Sequence, residues 1–383
     1  MGFEFITAPR IVFEWGAVKK LPGICAGLGK RCLVVTGGSS LRRSGVLDTL
    51  LEGLADNGVH VTLYDRASGE PTLQTVDAAV ELGRSAGVDV VLGIGGGSAM
   101  DTAKAAAGVI PNAGSVRDYL EGVGTAKLTE SPLPFIAAPT TAGTGSEVTK
   151  NAVIMSKEDK FKVSIRDDRM MARVAVVDPE LTVSVPPDVT AASGMDAICQ
   201  LIESFTTTLA NPMCDALALY YTPRAMEALR RAYDDGSDRQ ARETMSLAAM
   251  VSGMCLANSG LGAAHGIGAG LGAVLGVLHG VACGMLLPHV IRYNAAHGVL
   301  KYAQLAPAVC GRHYASDEDG ARAVADAVAE LALHLKLPVS LRELGVTEAN
   351  VDELAAASMG SSMKKNPVPF TLDECRDFLL SLI

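Results

Sequence analysis

Short apolar runs rich in β-branched residues alternate with helical patterns through the first half of the chain, and this alternation restricts the fold more than any other feature. The apolar runs cover residues 31–36, 59–64, 88–94, 133–138 and 174–177. Helical patterns at residues 46–54 and 73–86 separate the first three of them. The run at 88–94 is apolar almost throughout, as in a strand buried on both faces. The alternation therefore predicts a parallel sheet with helices on its faces.

Two further segments complete the predicted strands, and helical patterns dominate the rest of the chain. Residues 152–155 and 161–165 flank a charged turn at 158–160, which predicts a hairpin. From about residue 188 onwards nearly every segment has helical periodicity. The sequence therefore predicts strands in the first half only.

The length of the chain and a pair of prolines predict where the two halves separate. A chain of 383 residues is too long for one ordinary core. Pro186 and Pro187 stiffen a linker, and Asp188 can cap the helix that follows. We therefore expect an α/β domain over residues 1–184 and an all-α domain over residues 185–383, with a cleft between them.

The charge and the cysteine content indicate a cytoplasmic protein that binds a small molecule. The chain has 33 Lys and Arg against 42 Asp and Glu, a net charge of −9, and no basic run, which argues against nucleic-acid binding. Its eight cysteines form no CxxC pair, and several lie in apolar segments, as reduced core cysteines of cytosolic proteins do. The N-terminus lacks the uninterrupted apolar segment of a signal peptide.

One segment leaves a membrane protein open as an alternative. Residues 244–291 contain no Asp, Glu, Lys or Arg, and this segment is long enough to cross a bilayer. It also contains His265, His279 and many glycines, and no clustered basic residues flank it. A helical core without a membrane span is therefore the favoured interpretation.

A glycine-rich turn follows the third apolar run and precedes a helical pattern. The turn consists of Gly95, Gly96, Gly97 and Ser98. A strand, a turn without bulky side chains and a helix N-terminus bring unpaired backbone N–H groups to one point, which suits a pyrophosphate. The spacing is not GxGxxG, so a tight turn that needs glycine only for its backbone angles is the alternative. A second loop at residues 139–149 is rich in Thr and Ser and also follows a strand, which favours the binding role.

Several side chains suited to metal binding lie in the second half. Asp196 and Gln200 are four residues apart and share one face of a predicted helix. His265 and His279 lie in the charge-free segment, where an imidazole needs a polar partner. One Asp and two His with an open position are typical of a catalytic Zn²⁺ or Fe²⁺ site. The spacing matches no compact motif, so histidines hydrogen-bonded within the core are the alternative.

Five motifs, in order along the chain, resemble those of the iron-containing, or group III, alcohol dehydrogenases. They are residues 95–101 (GGGSAMD), 139–149 (PTTAGTGSEVT), 177–181 (VDPEL), 193–197 (SGMDA) and 278–282 (LHGVA). The resemblance implies a Rossmann-like α/β domain followed by an all-helical domain, a dehydroquinate synthase-like fold with cofactor and metal in the cleft. It also implies hydride transfer between NAD(P) and a small primary alcohol or aldehyde by a homodimer or larger assembly.

The resemblance further implies which residues form the site. The metal, Fe²⁺ or Zn²⁺, would be bound by Asp196, His265 and His279, which would be the catalytic residues, with Gln200 at the fourth ligand position. The glycine turn would contact the pyrophosphate of NAD or NADP. The other positions that match cofactor contacts are Asp101, Thr140, Thr141, Thr144, Ser146, Asn151, Lys162 and Leu181.

Two positions depart from the family pattern. Gln200 stands where the family has a histidine ligand, and Ala269 stands where a further histidine is usual. A Gln carbonyl oxygen is a weaker ligand than imidazole, and an alanine cannot relay protons. Three alternatives therefore stay open: a three-ligand metal site like that of glycerol dehydrogenases, a metal-independent reductase of the maleylacetate reductase type, and a non-catalytic dinucleotide-binding protein.

The residues after the first apolar run indicate the cofactor. NAD-preferring enzymes place an acidic residue there for the ribose 2′-hydroxyl, but this chain has Gly37, Gly38 and Ser39, followed by Arg42 and Arg43. Gly and Ser leave room for a 2′-phosphate, and a basic residue can pair with it. We therefore expect a preference for NADP(H), with a solvated helix start as the alternative role of the two arginines.

Overall fold

Two compact units make up the structure, which is a computed structural model. It describes residues 2–156, 158–159 and 161–383. The sheet unit consists of Thr7–Thr141 and Gly145–Thr182. The helical unit consists of Val183–Ile383, with Ala142–Thr144 and the N-terminal residues up to Ile6.

The sheet unit contains a six-stranded parallel sheet in the order β1-β8-β5-β4-β2-β3, and a separate antiparallel hairpin of β6 and β7. The strands are β1 (Ile11–Phe13), β2 (Arg31–Thr36), β3 (His60–Tyr64), β4 (Val90–Gly95), β5 (Phe135–Pro139), β6 (Asn151–Ser156), β7 (Phe161–Arg166) and β8 (Val174–Val177). The predicted parallel sheet is confirmed. The hairpin joins the two predicted segments, although Lys160 of its predicted turn lies outside the described residues.

Helices cover both faces of this sheet, because successive strand residues point to opposite sides. The helices are α1 (Leu21–Ala26), α2 (Ser40–Arg43), α3 (Val46–Asp56), α4 (Leu73–Ala86) and α5 (Gly97–Val109). Leu33 and Val35 of β2 belong to one buried apolar cluster, which includes residues of α4 and α5. Val34 and Leu92 belong to a second cluster, which includes residues of α1 and α3. The sheet is therefore buried on both faces, as its apolar runs predict.

The strand order creates a switch point between β4 and β2, at the carboxyl ends of the strands. From β2 the chain proceeds to β3 on one side, whereas from β4 it proceeds to β5 on the other side. Thr36 at the end of β2 pairs in register with Ile94, and Gly95 at the end of β4 pairs with Pro139. The segments that follow these three strands therefore emerge at the same edge, where open α/β sheets bind ligands.

The helical unit confirms the predicted all-α second half. Its helices are α6 (Pro187–Thr206), α7 (Pro212–Asp234), α8 (Arg239–Ser259), α9 (Ala263–Leu275), α10 (His279–Ala296), α11 (Ala306–Cys310), α12 (Asp317–His334), α13 (Val351–Ser358) and α14 (Leu372–Leu380). Among the described residues, no single helix has the length and apolar composition to cross a membrane. One pair, α8 and α9, meets that test together but is bent by 100° at the break between the helices.

Candidate active site

The glycine turn begins α5 without a side chain to cap it. Gly96 is the N-cap residue and makes no side-chain hydrogen bond to the first turn of the helix. The Ser98 hydroxyl oxygen is buried and has no hydrogen-bond partner among the described residues. Backbone donors at a helix start and an unpartnered hydroxyl together suit an anionic ligand such as the pyrophosphate of NAD(P). The residues present therefore fit this part of the cofactor.

The second loop starts beside this turn. Thr140 donates its backbone N–H to the Gly95 carbonyl oxygen at 2.8 Å. A Cβ atom added at Gly96 would lie 3.6 Å from the Thr141 hydroxyl oxygen, so the Thr141 side chain borders the turn. Thr144, by contrast, belongs to the helical unit. The structure thus brings Thr140 and Thr141, but not Thr144, into the same unit as the glycine turn.

A buried lysine holds the rest of the loop in place. The Lys104 side chain is fully buried in α5, and its ammonium group donates to the Ser146 carbonyl oxygen, the Ser146 hydroxyl and the Thr149 hydroxyl at 2.7–2.9 Å. It also donates to the Asn151 carbonyl oxygen at 2.8 Å. The Ser146 hydroxyl donates in turn to the Asp101 carboxylate at 2.6 Å. The side chains of Asp101 and Ser146 therefore form hydrogen bonds with other residues of the protein.

Burial shifts the proton equilibria of this cluster. It lowers the pKa of Lys104 to about 8, and Asp101 and Glu147 only partly oppose the effect. Burial also raises the pKa of Glu147 to about 7 and raises that of Asp101. Lys104 lies outside the five motifs, but its position three residues after Asp101 in an alanine-rich helix is a sequence signal of a buried partner.

The remaining predicted cofactor residues of the sheet unit lie on the hairpin and after β8. The Asn151 side-chain amide donates to the Ser164 hydroxyl at 3.4 Å. The Lys162 ammonium group pairs with the Glu70 carboxylate at 2.9 Å. Leu181 is buried in a short 3-10 helix that follows β8. The sheet unit contains all three, and their described contacts are with other residues of that unit.

The segment after β2 leaves no room for a side chain at its first position. A Cβ atom at Gly37 would lie 2.3 Å from the Ala67 carbonyl oxygen, so an acidic residue there would clash with the backbone. Arg43 donates to the Ser39 hydroxyl, and Arg42 lies 3.6 Å from the Asp65 carboxylate. The acidic residue typical of NAD-preferring enzymes is therefore excluded at this position by geometry as well as by sequence.

Asp196, His265 and His279 converge within the helical unit, although three different helices carry them. The Asp196 Oδ1 atom lies 3.2 Å from His265 Nε2 and 3.9 Å from His279 Nε2. Nitrogen and oxygen ligands of one tetrahedral ion, each about 2.0–2.1 Å from it, lie roughly 3.3–3.4 Å apart. Asp196 and His265 are buried, and the His279 side chain is 28% exposed. This donor set therefore fits a divalent metal.

A carboxylate that the sequence analysis missed orients His265. Glu203 Oε2 lies 2.6 Å from His265 Nδ1, and the Glu203 carboxylate accepts the backbone N–H groups of Gly262 and Ala264 at the start of α9. A proton on Nδ1 leaves the lone pair of Nε2 directed towards Asp196. Glu203 is seven residues after Asp196 on α6, so helical spacing could have identified it.

Gln200 presents its amide nitrogen, rather than its oxygen, to this cluster. The amide oxygen accepts a hydrogen bond from the Ser252 hydroxyl at 2.8 Å. The amide nitrogen donates to Asp196 Oδ2 at 3.1 Å and to the Thr144 carbonyl oxygen at 3.4 Å. Asp196 is thus held through Oδ2, while Oδ1 faces the two histidines.

Cys283, four residues after His279, influences the proton equilibria of the group formed by Asp196, His265 and His279. Burial lowers the pKa of His265, but the charges of Cys283 and Glu203 and the hydrogen bond with Asp196 outweigh it and raise the pKa well above its ordinary value. Burial raises the pKa of the Cys283 thiol, but a hydrogen bond with Cys199 and the two imidazoles lower it well below its ordinary value. Protons held by such a set compete with a metal ion for the same atoms.

A close helix contact sets the position of His279. A Cβ atom at Gly280 would lie 2.1 Å from the Ala192 carbonyl oxygen, so only glycine lets α10 approach α6 this closely. His279 is the first residue of α10, and Asp196 lies one turn after Ala192 on α6. Ala269 is one turn after His265 on α9 and offers no group that could exchange a proton.

Comparison with known proteins accounts for both units. The model of the family described as iron-containing alcohol dehydrogenase matches residues 8–179, and the model of its C-terminal domain matches residues 190–383. The chain belongs to the iron-containing alcohol dehydrogenase family. The resemblance inferred from the five motifs is confirmed.

Proteins similar to this iron-containing alcohol dehydrogenase match over nearly the whole length. Long-chain-alcohol dehydrogenase 1 of Geobacillus thermodenitrificans (strain NG80-2) is 34% identical over 95% of this chain and 94% of that protein. The NADPH-dependent butanol dehydrogenase of Clostridium saccharobutylicum is 32% identical over 97% and 95%. The crystal structure of a 1,3-propanediol oxidoreductase superposes with a TM-score of 0.94, at 31% identity and full coverage of both chains.

The family establishes the class of reaction. Iron-containing alcohol dehydrogenases are oxidoreductases, and this chain transfers a hydride between NAD(P) and an alcohol or aldehyde. The family also implies a bound metal. The predicted enzyme class and fold are therefore confirmed.

Proposed function

We propose that Asp196, His265 and His279 bind the metal of this alcohol dehydrogenase and are its catalytic residues. The convergence of one carboxylate oxygen and two imidazole nitrogens from three helices carries this proposal. When bound, the metal supplies a Lewis acid for the oxygen of a small primary alcohol or aldehyde, and the nicotinamide supplies or accepts the hydride.

The neighbouring side chains orient these ligands. Glu203 fixes the ring of His265 through Nδ1, so that Nε2 offers its lone pair. Gln200 donates to Asp196 Oδ2 and receives a hydrogen bond from Ser252. We therefore assign Gln200 a positioning role for Asp196, in place of the expected role as a ligand.

The glycine turn and the two threonines beside it are proposed to bind the nucleotide. Gly95, Gly96, Gly97 and Ser98 provide the helix start for the pyrophosphate, bordered by Thr140 and Thr141. Asp101 and Ser146 act on the cofactor indirectly, because their side chains form the hydrogen bonds that, with Lys104, position the loop at residues 139–149. Contacts of Thr144, Asn151, Lys162 and Leu181 with the nicotinamide portion stay predictions.

The nucleotide preference is proposed to be NADP(H). Gly37 cannot be replaced by an acidic residue without a clash, so nothing at this position repels a 2′-phosphate. Gly38 and Ser39 follow it, and Arg42 and Arg43 supply positive charge one turn later. A higher kcat/KM with NADPH than with NADH is the expected result, and the reverse order contradicts this preference.

A cytoplasmic location and assembly into a homodimer or larger oligomer are also proposed. All eight cysteines are free, and most of them are buried, which supports a reducing compartment. Gel filtration with light scattering measures the assembly directly.

Metal analysis of the purified protein, beside the His279→Ala variant, tests the metal site. Wild-type protein is expected to retain a divalent metal after dialysis and to lose activity with a chelator, and the variant is expected to retain neither metal nor activity. His297→Ala is the matched control, because His297 is exposed at the end of the same helix. Unchanged metal content and activity in His279→Ala would overturn this metal site, whereas full activity of metal-free wild-type protein would favour a metal-independent reductase.

A further inference from the structure

A buried cysteine lies beside the proposed metal ligands. Cys283 is one helical turn after His279 on α10, so the two side chains share a face. Its sulfur atom lies 3.7 Å from His279 Nε2, and the side chain is fully buried. Ligand atoms of Asp196, His265, His279 and Cys283 all lie within 4.8 Å of one another. Four donor atoms, rather than three, are therefore close enough together to hold one metal ion.

The distances fit a thiolate ligand. With metal–sulfur and metal–nitrogen distances of about 2.3 and 2.0–2.1 Å, tetrahedral geometry separates sulfur and nitrogen by roughly 3.5–3.6 Å. The observed 3.7 Å between Cys283 and His279 is close to that value. Gln200, at the family's fourth ligand position, directs its amide nitrogen to Asp196, and this nitrogen has no available lone pair, whereas the amide oxygen accepts a hydrogen bond from Ser252.

We propose that Cys283 is the fourth protein ligand of the metal and that this thiolate favours Zn²⁺ over Fe²⁺. The proposal rests on the metal-binding role of Asp196, His265 and His279. Thiolate is a softer ligand than imidazole or carboxylate and is a common partner of Zn²⁺. The thiol releases its proton to solvent as the metal–sulfur bond forms, and no electron is transferred. Zinc can expand to five ligands, which leaves a position for the substrate oxygen.

A second cysteine in the same region provides the matched control. Cys199 Sγ lies 3.5 Å from His265 Nδ1, and Cys199, Glu203 and His265 form another group of close donor atoms. That nitrogen already lies 2.6 Å from Glu203, whose oxygens accept backbone N–H groups of α9. Cys199 is therefore a buried thiol of similar surroundings that we do not assign as a ligand.

Cobalt substitution distinguishes the two thiols. Metal-free protein is loaded with Co²⁺, and absorption spectra are recorded for wild type, Cys283→Ser and Cys199→Ser. A thiolate ligand gives a charge-transfer band in the near ultraviolet, whereas Co²⁺ with nitrogen and oxygen ligands gives only the weaker visible bands. We expect the near-ultraviolet band in wild type and Cys199→Ser and its loss in Cys283→Ser.

A second measurement covers the case in which the serine variant folds poorly. X-ray absorption of the wild-type zinc form is expected to contain one sulfur at about 2.3 Å from the metal. The Kd for Zn²⁺ of a folded Cys283→Ala variant, checked by circular dichroism, is expected to rise more than about tenfold. The ratio of Zn²⁺ to Fe²⁺ affinity is expected to fall in the same variant.

The outcomes separate this inference from the proposed function. Visible cobalt bands without a charge-transfer band in wild type, or a band that persists in Cys283→Ser, overturn the assignment of Cys283 and leave the other three ligands in place. A wild-type protein that binds neither Co²⁺ nor Zn²⁺ overturns the metal-binding function itself.

Discussion

The proposed nucleotide site of the sheet unit and the proposed metal site of the helical unit are built from different kinds of chemical group. In the sheet unit, the proposed binding groups are mainly backbone N–H groups at the start of α5, together with the Ser98 hydroxyl. In the helical unit they are side chains from α6, α9 and α10, held by further side chains such as Glu203. A backbone site depends on the local path of the chain, whereas a side-chain site depends on how helices pack.

This contrast determines how each site tolerates change. The glycine turn requires small residues and correct strand register. The charged side chains of Lys104 and Asp101 form hydrogen bonds with Ser146 of the second loop. The proposed metal site requires carboxylate and imidazole groups at short distances from one another. Replacing one ligand atom is therefore expected to change the metal affinity. We expect the buried charged groups of the sheet unit to act on stability and those of the helical unit to act on metal binding.

The largest effect is expected from Glu147→Gln, as a change in the pH dependence of stability. Folded protein holds the Glu147 proton up to a pKa of about 7, whereas the ordinary value is 4.5, so the folded state binds more protons between these values. The stabilisation is complete below pH 4.5 and is lost as pH rises to 7. At about 1.4 kcal/mol per pH unit, this loss is about 3 kcal/mol.

Urea unfolding at several pH values between 4.5 and 8 measures this effect. The amide of Glu147→Gln is neutral at every pH, so the variant is expected to match wild type at the acid end and to become the more stable protein towards pH 7. The comparison uses the data up to pH 7, because Lys104 interacts with the charge of Glu147 and has a pKa of about 8. Parallel stability curves for the two proteins would show that Glu147 titrates normally.

A smaller effect, on metal binding, is expected from Glu203→Gln. The carboxylate accepts from two backbone N–H groups and contacts His265 Nδ1, and an amide cannot accept at both of its atoms. Loss of a group that orients a metal ligand costs about 10–100-fold in metal affinity. Competition with a chelator measures the Kd for Zn²⁺, and the Kd for NADPH is expected to stay within about twofold because the sheet unit is unchanged. Equal losses of metal and nucleotide affinity would indicate general unfolding.

Much of the fold could be predicted from local sequence. The bounds of α4, Leu73–Ala86, and of β2, Arg31–Thr36, agree with their predicted limits, because the apolar periodicity and flanking residues are strong there. The strand β1 was missed, since Ile11–Phe13 is only three residues long and is defined by its pairing with β8. The glycine turn was also recognisable, because the strand, the turn and the helix are contiguous.

The proposed metal site was harder to predict from local sequence. Asp196, His265 and His279 are far apart in the chain, so their residue types indicated a metal site but left core histidines as an alternative, and the family resemblance favoured the metal site. Glu203 and Cys283 could have been found as helical neighbours of Asp196 and His279. The cysteines were interpreted together as core residues, and burial alone does not distinguish a core thiol from a ligand. That distinction requires the distances between helices.

The smallest effect is expected from Ser98→Ala, and it tests the backbone site most directly. The Ser98 hydroxyl is buried and has no partner among the described residues, so its removal is expected to leave stability within about 0.5 kcal/mol. If the hydroxyl donates to the pyrophosphate, its loss removes one hydrogen bond to a charged group and raises the Kd for NADPH about tenfold. Fluorescence titration of NADPH measures this change, and metal content is the control that should not move. Because the backbone N–H groups remain in the variant, weak binding rather than none is expected. Complete loss of binding would mean that the side chain, and not the backbone, carries the nucleotide site.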